Sequence, residues 1–156
     1  MRPLAHALVF LIVVWVAAIL LAPIALASEH RGFALPAILV YAAGERVCHQ
    51  RPDRSFHVGH SQLPVCARCT GLYVSAAAGA VAGLWAASSL RGARARRILL
   101  LAALPTAFTW TSEMAGLAHP SNLVRAAAAL PLGFAAAWMI VTTLRDASAT
   151  ARNPMV

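Results

Sequence analysis

All three cysteines of the chain fall in one short segment, where their spacing is typical of a metal site. Cys66 and Cys69 form a Cys-x-x-Cys pair, and a loop of seventeen residues separates Cys48 from Cys66. Two thiolates at this spacing can chelate one tetrahedral ion, and a third sulfur strengthens the site. His49 adjoins Cys48 and is the preferred fourth ligand. The pattern predicts a zinc site formed by Cys48, His49, Cys66 and Cys69.

The same cysteines allow two other interpretations. A Cys-x-x-Cys pair at a helix N-terminus has a lowered thiol pKa, so the pair could carry out thiol–disulfide or quinone-linked exchange with Cys48 as its partner. The third interpretation is a structural disulfide with one leftover thiol and no chemistry. A location outside the cell favours disulfides, whereas an odd number of cysteines disfavours purely structural pairing.

Arginines surround the cysteine motif. Arg51, Arg54 and Arg68 could bind an anion such as a lipid phosphate, although ion pairs with Asp53 or Glu45 are the more ordinary expectation. The chain contains no phosphate-binding glycine loop, nucleophile elbow or metalloprotease helix motif. The sequence therefore assigns no enzymatic activity.

The composition identifies the environment in which these residues must be positioned. The 156 residues are 60% hydrophobic and only 12% charged, which is too apolar for an ordinary soluble domain. The net charge of +8 comes entirely from arginines that stand beside apolar runs, as in membrane proteins. We therefore expect a lipid bilayer as the partner, and no nucleic acid.

The apolar runs predict an all-α fold. Four of them are about as long as the roughly 20 residues that cross a bilayer, namely residues 8–27, 70–90, 98–117 and 123–144. The first run favours an uncleaved anchor over a signal peptide because it is longer than a typical signal core. Residues 33–43 are too few to span and are expected to form a short helix that lies at the membrane interface or packs against the bundle.

The prediction is thus a single membrane domain over residues 1–156, a polytopic bundle of about four transmembrane helices. Residues 28–69 form a polar Cys/His segment between the first two spans. Four arginines within residues 91–97 predict a cytoplasmic loop there, with both termini also cytoplasmic and the cysteines outside the plasma (inner) membrane. The arginines of the polar segment argue for the opposite orientation.

Two further patterns concern helix packing. Ser75, Gly79 and Gly83 form a stripe of small residues, which favours packing within the bundle over the alternative, a homodimer. Glu113 and Arg125 flank a short turn between the last two spans and lie at similar depth. They are predicted to form a buried ion pair, because an isolated charge in a bilayer is costly.

The central motif also resembles a known family. The matching strings are Cys48-His49-Gln50, Arg54-Ser55-Phe56 and Pro64-Val65-Cys66-Ala67-Arg68-Cys69-Thr70-Gly71. They closely resemble the domain of unknown function 2085 family (DUF2085), a group of bacterial predicted membrane proteins, and the similarity extends over about residues 41–133. The resemblance implies membrane residence and a shared cysteine motif, and it implies no particular activity.

Overall fold

Five helices and one β-hairpin make up the fold. The computed structural model describes residues 2–28, 31–86, 90 and 92–150. The helices are α1 (Arg2–Ala27), α2 (Arg31–Val47), α3 (Ala67–Trp85), α4 (Gly92–Met114) and α5 (Asn122–Thr150). Between α2 and α3 lie a 3-10 turn (Pro52–Arg54) and the antiparallel strands β1 (Ser55–Val58) and β2 (Ser61–Cys66).

Two of the helices are candidate membrane spans by length and hydropathy. Among the described residues these are Pro3–Ala27 of α1 and Asn122–Ala147 of α5, which correspond to the first and fourth predicted runs. The helices α3 and α4 correspond to the second and third runs, although α3 ends at Trp85 and not at residue 90. Whether α3 and α4 also cross the bilayer stays a prediction.

The hairpin corrects the all-α prediction. Ser55 pairs with Cys66 and Val58 pairs with Ser61, and the register shifts between these two pairs. The tight turn uses a positive φ of 59° at Gly59, which glycine adopts without steric cost. Pro64 lies within β2, where its missing N–H is tolerated at an irregular edge strand. A hairpin signal was therefore present in the polar segment.

Helices α3 and α5 pack closely along a line of small residues. A Cβ atom at Gly71 would collide with the Ala126 carbonyl, and one at Gly79 would collide with the Phe134 carbonyl. Ser75, Gly79 and Gly83 are buried, so the stripe of small residues is covered by α5 of the same chain. A homodimer through these three residues stays a prediction, and it would require a second copy to displace α5.

Helix α2 is longer than the predicted interfacial helix. It has 17 residues, which corresponds to about 26 Å, and it contains Pro36. Ala37 is buried, whereas Leu35, Ile38 and Leu39 on the opposite side are more than half exposed. This helix therefore leaves one apolar face uncovered by the protein. Its location at a membrane interface stays a prediction.

The two ends of the bundle differ in composition. The hairpin lies at the end where α3 and α5 begin and α4 finishes, and Asn122 Nδ2 ties it to α5 by donating to the Ser55 carbonyl at 3.0 Å. Three arginines of the predicted cytoplasmic loop, Arg94, Arg96 and Arg97, belong instead to the first turns of α4. The fourth, Arg91, lies outside the described residues. Arg94, Arg96 and Arg97 are thus at the opposite end from the cysteines.

Candidate metal centre

Three separate segments bring the cysteines together. Cys48 follows the C-terminus of α2, Cys66 ends β2, and Cys69 is in the first turn of α3. Their sulfur atoms all lie within 4.8 Å of one another, and the Cys66 and Cys69 sulfurs are 3.5 Å apart. Sulfurs bound to one tetrahedral zinc ion are roughly 3.8 Å apart, given Zn–S bonds of about 2.3 Å. The observed spacing is therefore close to that of a zinc site.

The surroundings of the sulfurs suit thiolate ligands. Cys48 is 7% exposed and packs with Ile19 and Val65. The backbone N–H of Cys66 donates to the Cys48 sulfur at 3.1 Å, which stabilises negative charge on that sulfur. Cys66 is also the N-cap residue of α3, where the helix dipole favours an anion. All three cysteines are free thiols.

Proton sharing between two of the thiols makes one of them acidic. The hydrogen bond with the Cys69 thiol lowers the pKa of Cys66 to about 5, while the same bond raises the pKa of Cys69. The pairing therefore favours negative charge on Cys66, stabilised by the neighbouring Cys69 thiol. A bound cation would displace the proton that the two thiols share, because metal ligation requires deprotonated thiols.

The histidines do not join the cysteines. Within the described residues, the group of mutually close ligand atoms consists of the three sulfurs, without His49. His49 is exposed and lines a cavity into which Cys48, Cys66 and Cys69 also face. His57 and His60 are exposed on the hairpin. The role of His49 as fourth ligand stays a prediction.

Gln50 positions the cysteine loop, a role that the sequence analysis did not assign. Its backbone has a positive φ of 46°, which is uncommon for a residue with a side chain. Its Nε2 donates to the carbonyls of Tyr41 and Pro64, each at 2.7 Å, and its own carbonyl accepts from Gln62 Nε2 at 3.1 Å. Gln50 thereby joins α2 to β2 beside Cys48. Its place in the Cys48-His49-Gln50 string was the available signal.

A cavity of about 510 Å³ adjoins the sulfurs. Three of its arginines are at least partly buried, with 10%, 18% and 27% of the side chain exposed in Arg125, Arg68 and Arg54 respectively. Arg51 also lines the cavity but is exposed and pairs with Asp53 at 3.2 Å. Hydrophobic parts of the lining come from Trp110 and Met114 of α4.

Glu113 lies at the centre of these arginines, and its side chain is 2% exposed. Its Oε1 atom is 2.7 Å from Arg125 Nη2 and 3.3 Å from Arg54 Nε, and its Oε2 atom is 3.4 Å from Arg68 Nη2. The structure therefore brings Glu113 and Arg125 together and adds two arginines that the predicted pair did not include. One carboxylate faces three guanidinium groups.

The region that contains the cysteine motif matches a known protein family. The DUF2085 family model, described as a predicted membrane protein, matches residues 48–139, which is more than half of the chain. The chain belongs to the DUF2085 family. The matched region begins at Cys48 and contains the whole cysteine cluster, Glu113 and the three arginines that contact it. Its description, together with two candidate spans, supports a membrane protein.

Two archaeal relatives of this DUF2085 protein extend the comparison. An uncharacterized protein of Methanocaldococcus jannaschii is 29% identical over 109 residues, covering 67% of each chain. An uncharacterized protein of Methanothermobacter thermautotrophicus is 30% identical over 87 residues, covering 56% of this chain and 78% of the relative. The similarity therefore reaches beyond the bacterial proteins named in the sequence analysis. No solved structure matches significantly.

Proposed function

We propose that this DUF2085 protein binds one zinc ion through Cys48, Cys66 and Cys69. The observation that carries the proposal is the convergence of three sulfurs from three segments to within 4.8 Å. Thiolate-rich sites favour soft or borderline ions, and zinc suits a tetrahedral arrangement without redox chemistry. The three cysteines and His49 line the same cavity, so His49, which adjoins Cys48 in sequence, would be the candidate fourth ligand.

The ion would have a structural or regulatory role in this proposal. It would join the end of α2, the end of β2 and the start of α3, which are otherwise connected by hydrogen bonds such as those of Gln50. Because the unfolded chain holds no such site, the binding free energy would add to the free energy of unfolding. Loss of the ion would then loosen the polar segment relative to the helices.

Elemental analysis of protein purified without a histidine tag tests the proposal. We expect about one zinc per chain in the wild type and none after Cys66→Ser. His60→Ala is a matched control because His60 is exposed on the hairpin, and it should retain the metal. If His49 is the fourth ligand, His49→Ala should weaken the affinity for zinc without abolishing zinc binding. A folded wild-type protein without bound metal would show that the proposal is wrong.

A thiol–disulfide function is the second candidate, favoured by the acidic Cys66 beside Cys69. Oxidation would join the two sulfurs, which now lie 3.5 Å apart, and would release two electrons and the thiol protons to an acceptor such as a quinone. Free-thiol counts with and without a quinone analogue test this reaction. Loss of two thiols without chelation would favour redox chemistry, whereas protection by bound zinc would favour the metal site. A purely structural disulfide predicts fewer than three free thiols in the purified protein.

We infer a multi-pass arrangement in the plasma (inner) membrane, with the cysteine end outside and both termini in the cytoplasm. Support comes from Arg94, Arg96 and Arg97 at the far end of α4, because short positively charged segments are retained in the cytoplasm. A membrane-impermeant thiol reagent should then label the cysteines in intact cells after reduction and chelation. Labelling that requires membrane disruption would reverse the orientation.

A further inference from the structure

The cavity beside the cysteines contains more positive than negative charge. Arg54, Arg68 and Arg125 share the single carboxylate of Glu113, and the acidic Cys66 thiol in the same cavity supplies at most one further negative charge, so an excess of positive charge remains. Asp53 does not remove this excess: its Oδ2 lies 3.6 Å from Arg54 Nε, but its other oxygen pairs with Arg51 at 3.2 Å, and Asp53 and Arg51 are both more than half exposed. One carboxylate offsets only part of the repulsion among three like charges held this close in a partly buried site, and a further anion would offset more of it.

The hydrogen bonding of the three arginines is also incomplete. Their Nε atoms are buried and have no hydrogen-bond acceptor within the described part of the chain. Arg54 Nε lies 3.3 Å from Glu113 Oε1, which is close enough for an ion pair, but it is not aligned as a hydrogen bond. Arg125 is the most buried of the three, with 90% of its side chain covered. Buried donors without acceptors are costly, so an acceptor in the cavity would stabilise them.

We propose that this cavity binds a phosphate group through Arg54, Arg68 and Arg125. Guanidinium groups present paired N–H donors that match the oxygens of phosphate, and the excess of positive charge favours a bound anion. The volume of about 510 Å³ leaves room for more than the phosphate itself. Arg51, which the sequence analysis grouped with Arg54 and Arg68, is replaced in this site by Arg125 of α5.

The phosphate group could belong to a free ion or to a lipid headgroup, and the cavity suits both sources. Trp110 and Met114 give it an apolar side on α4 that could contact the uncharged part of a lipid headgroup. The phosphate site does not depend on the zinc proposal, because its donors are arginines and not the sulfurs. The two sites share one cavity, so a bound phosphate would lie near the cysteine cluster.

Binding measurements on the full-length protein in detergent test the site. Inorganic phosphate and a short-chain phosphatidic acid are titrated in separate experiments. Each is measured on protein treated with a chelator and on protein supplied with zinc, and sodium chloride keeps the ionic strength constant. We expect saturable binding by the wild type and an affinity at least tenfold weaker for Arg68→Gln, which corresponds to about 1.4 kcal/mol. Arg68→Lys keeps the charge but loses the paired donors, and it should fall between these two.

Arg96→Gln is the control, since Arg96 is an exposed arginine at the other end of α4 and its loss should leave the affinity unchanged. Tighter binding of phosphatidic acid would identify a lipid headgroup as the ligand, and tighter binding of inorganic phosphate would identify the free ion. Arg54→Gln provides a second test if Arg68→Gln does not fold. A wild type that binds neither probe would overturn the proposal, as would folded Arg68→Gln and Arg54→Gln proteins with unchanged affinity.

Discussion

Replacing Glu113 with glutamine is the perturbation that most directly tests the charge cluster. Glutamine has nearly the same shape and keeps one carbonyl acceptor, but it removes the carboxylate that faces Arg54, Arg68 and Arg125. Three guanidinium groups would then lie close together without their central negative charge. Arg125→Gln should be less destabilising than Glu113→Gln, because the Glu113 carboxylate would still face two guanidinium groups.

The structure sets the expected magnitudes. Glu113 is 2% exposed and lies 2.7 Å from Arg125, so this is a buried pair, for which loss of one partner costs about 3–5 kcal/mol. Arg54 and Arg68 are partly exposed, and solvent screening reduces their share of that cost. We therefore expect Glu113→Gln to lower the free energy of unfolding by about 3 kcal/mol. Arg125→Gln should lower it by roughly 1.5 kcal/mol, the low end for a hydrogen bond to a charged group.

Urea unfolding of the detergent-solubilised protein measures these differences, because urea is uncharged and does not screen ion pairs. The double variant Glu113→Gln/Arg125→Gln should cost less than the sum of the single changes, with a coupling of about 1–2 kcal/mol. Glu45→Gln is the matched control, since Glu45 is exposed on α2, and it should change the free energy of unfolding by less than about 0.5 kcal/mol.

Additive effects would refute the reasoning, because two residues that interact directly cannot contribute independently. An effect of Glu113→Gln no larger than that of Glu45→Gln would refute it as well. A coupling between Glu113 and Arg68 that exceeded the coupling with Arg125 would contradict the order of distances, which is 3.4 Å against 2.7 Å.

Two further predictions concern packing and the cysteine loop. Gly79→Ala should destabilise the bundle by about 1–3 kcal/mol in the same urea assay, because its Cβ would collide with the Phe134 carbonyl and force α3 away from α5. Gly32→Ala is its control, since a Cβ there meets nothing within 4 Å, and it should be neutral or stabilising; equal effects of the two would contradict the packing argument. Gln50→Ala removes two hydrogen bonds that hold the loop of Cys48, so it should raise the alkylation rate of Cys48 in metal-free protein several-fold. Mass spectrometry measures this rate, and an unchanged rate would exclude a positioning role for Gln50.

Several features of the fold followed from the sequence because they depend on local pattern. Long apolar runs favour helices, which satisfy their own backbone hydrogen bonds, and helices α1, α3, α4 and α5 overlap the four predicted runs. The Cys66–Cys69 spacing fixes two sulfurs within one turn of chain. The short connection between α4 and α5 likewise brings Glu113 and Arg125 near each other without any knowledge of the rest of the bundle.

The arrangement of the polar segment depended on long-range contacts that no local pattern encodes. Gln50 helps to hold the Cys48 loop against β2, and the Cys66 N–H contacts the Cys48 sulfur. The 3-10 turn places Arg54 against Glu113, whereas Arg51 lies on the exposed side of the cavity and pairs with Asp53. The sequence also did not predict which helix packs against the stripe of small residues, since such a stripe can pack against any helix that approaches closely. Spacing thus determined which residues could act together, whereas the packing of α5 and the hairpin around α3 decided which of them meet.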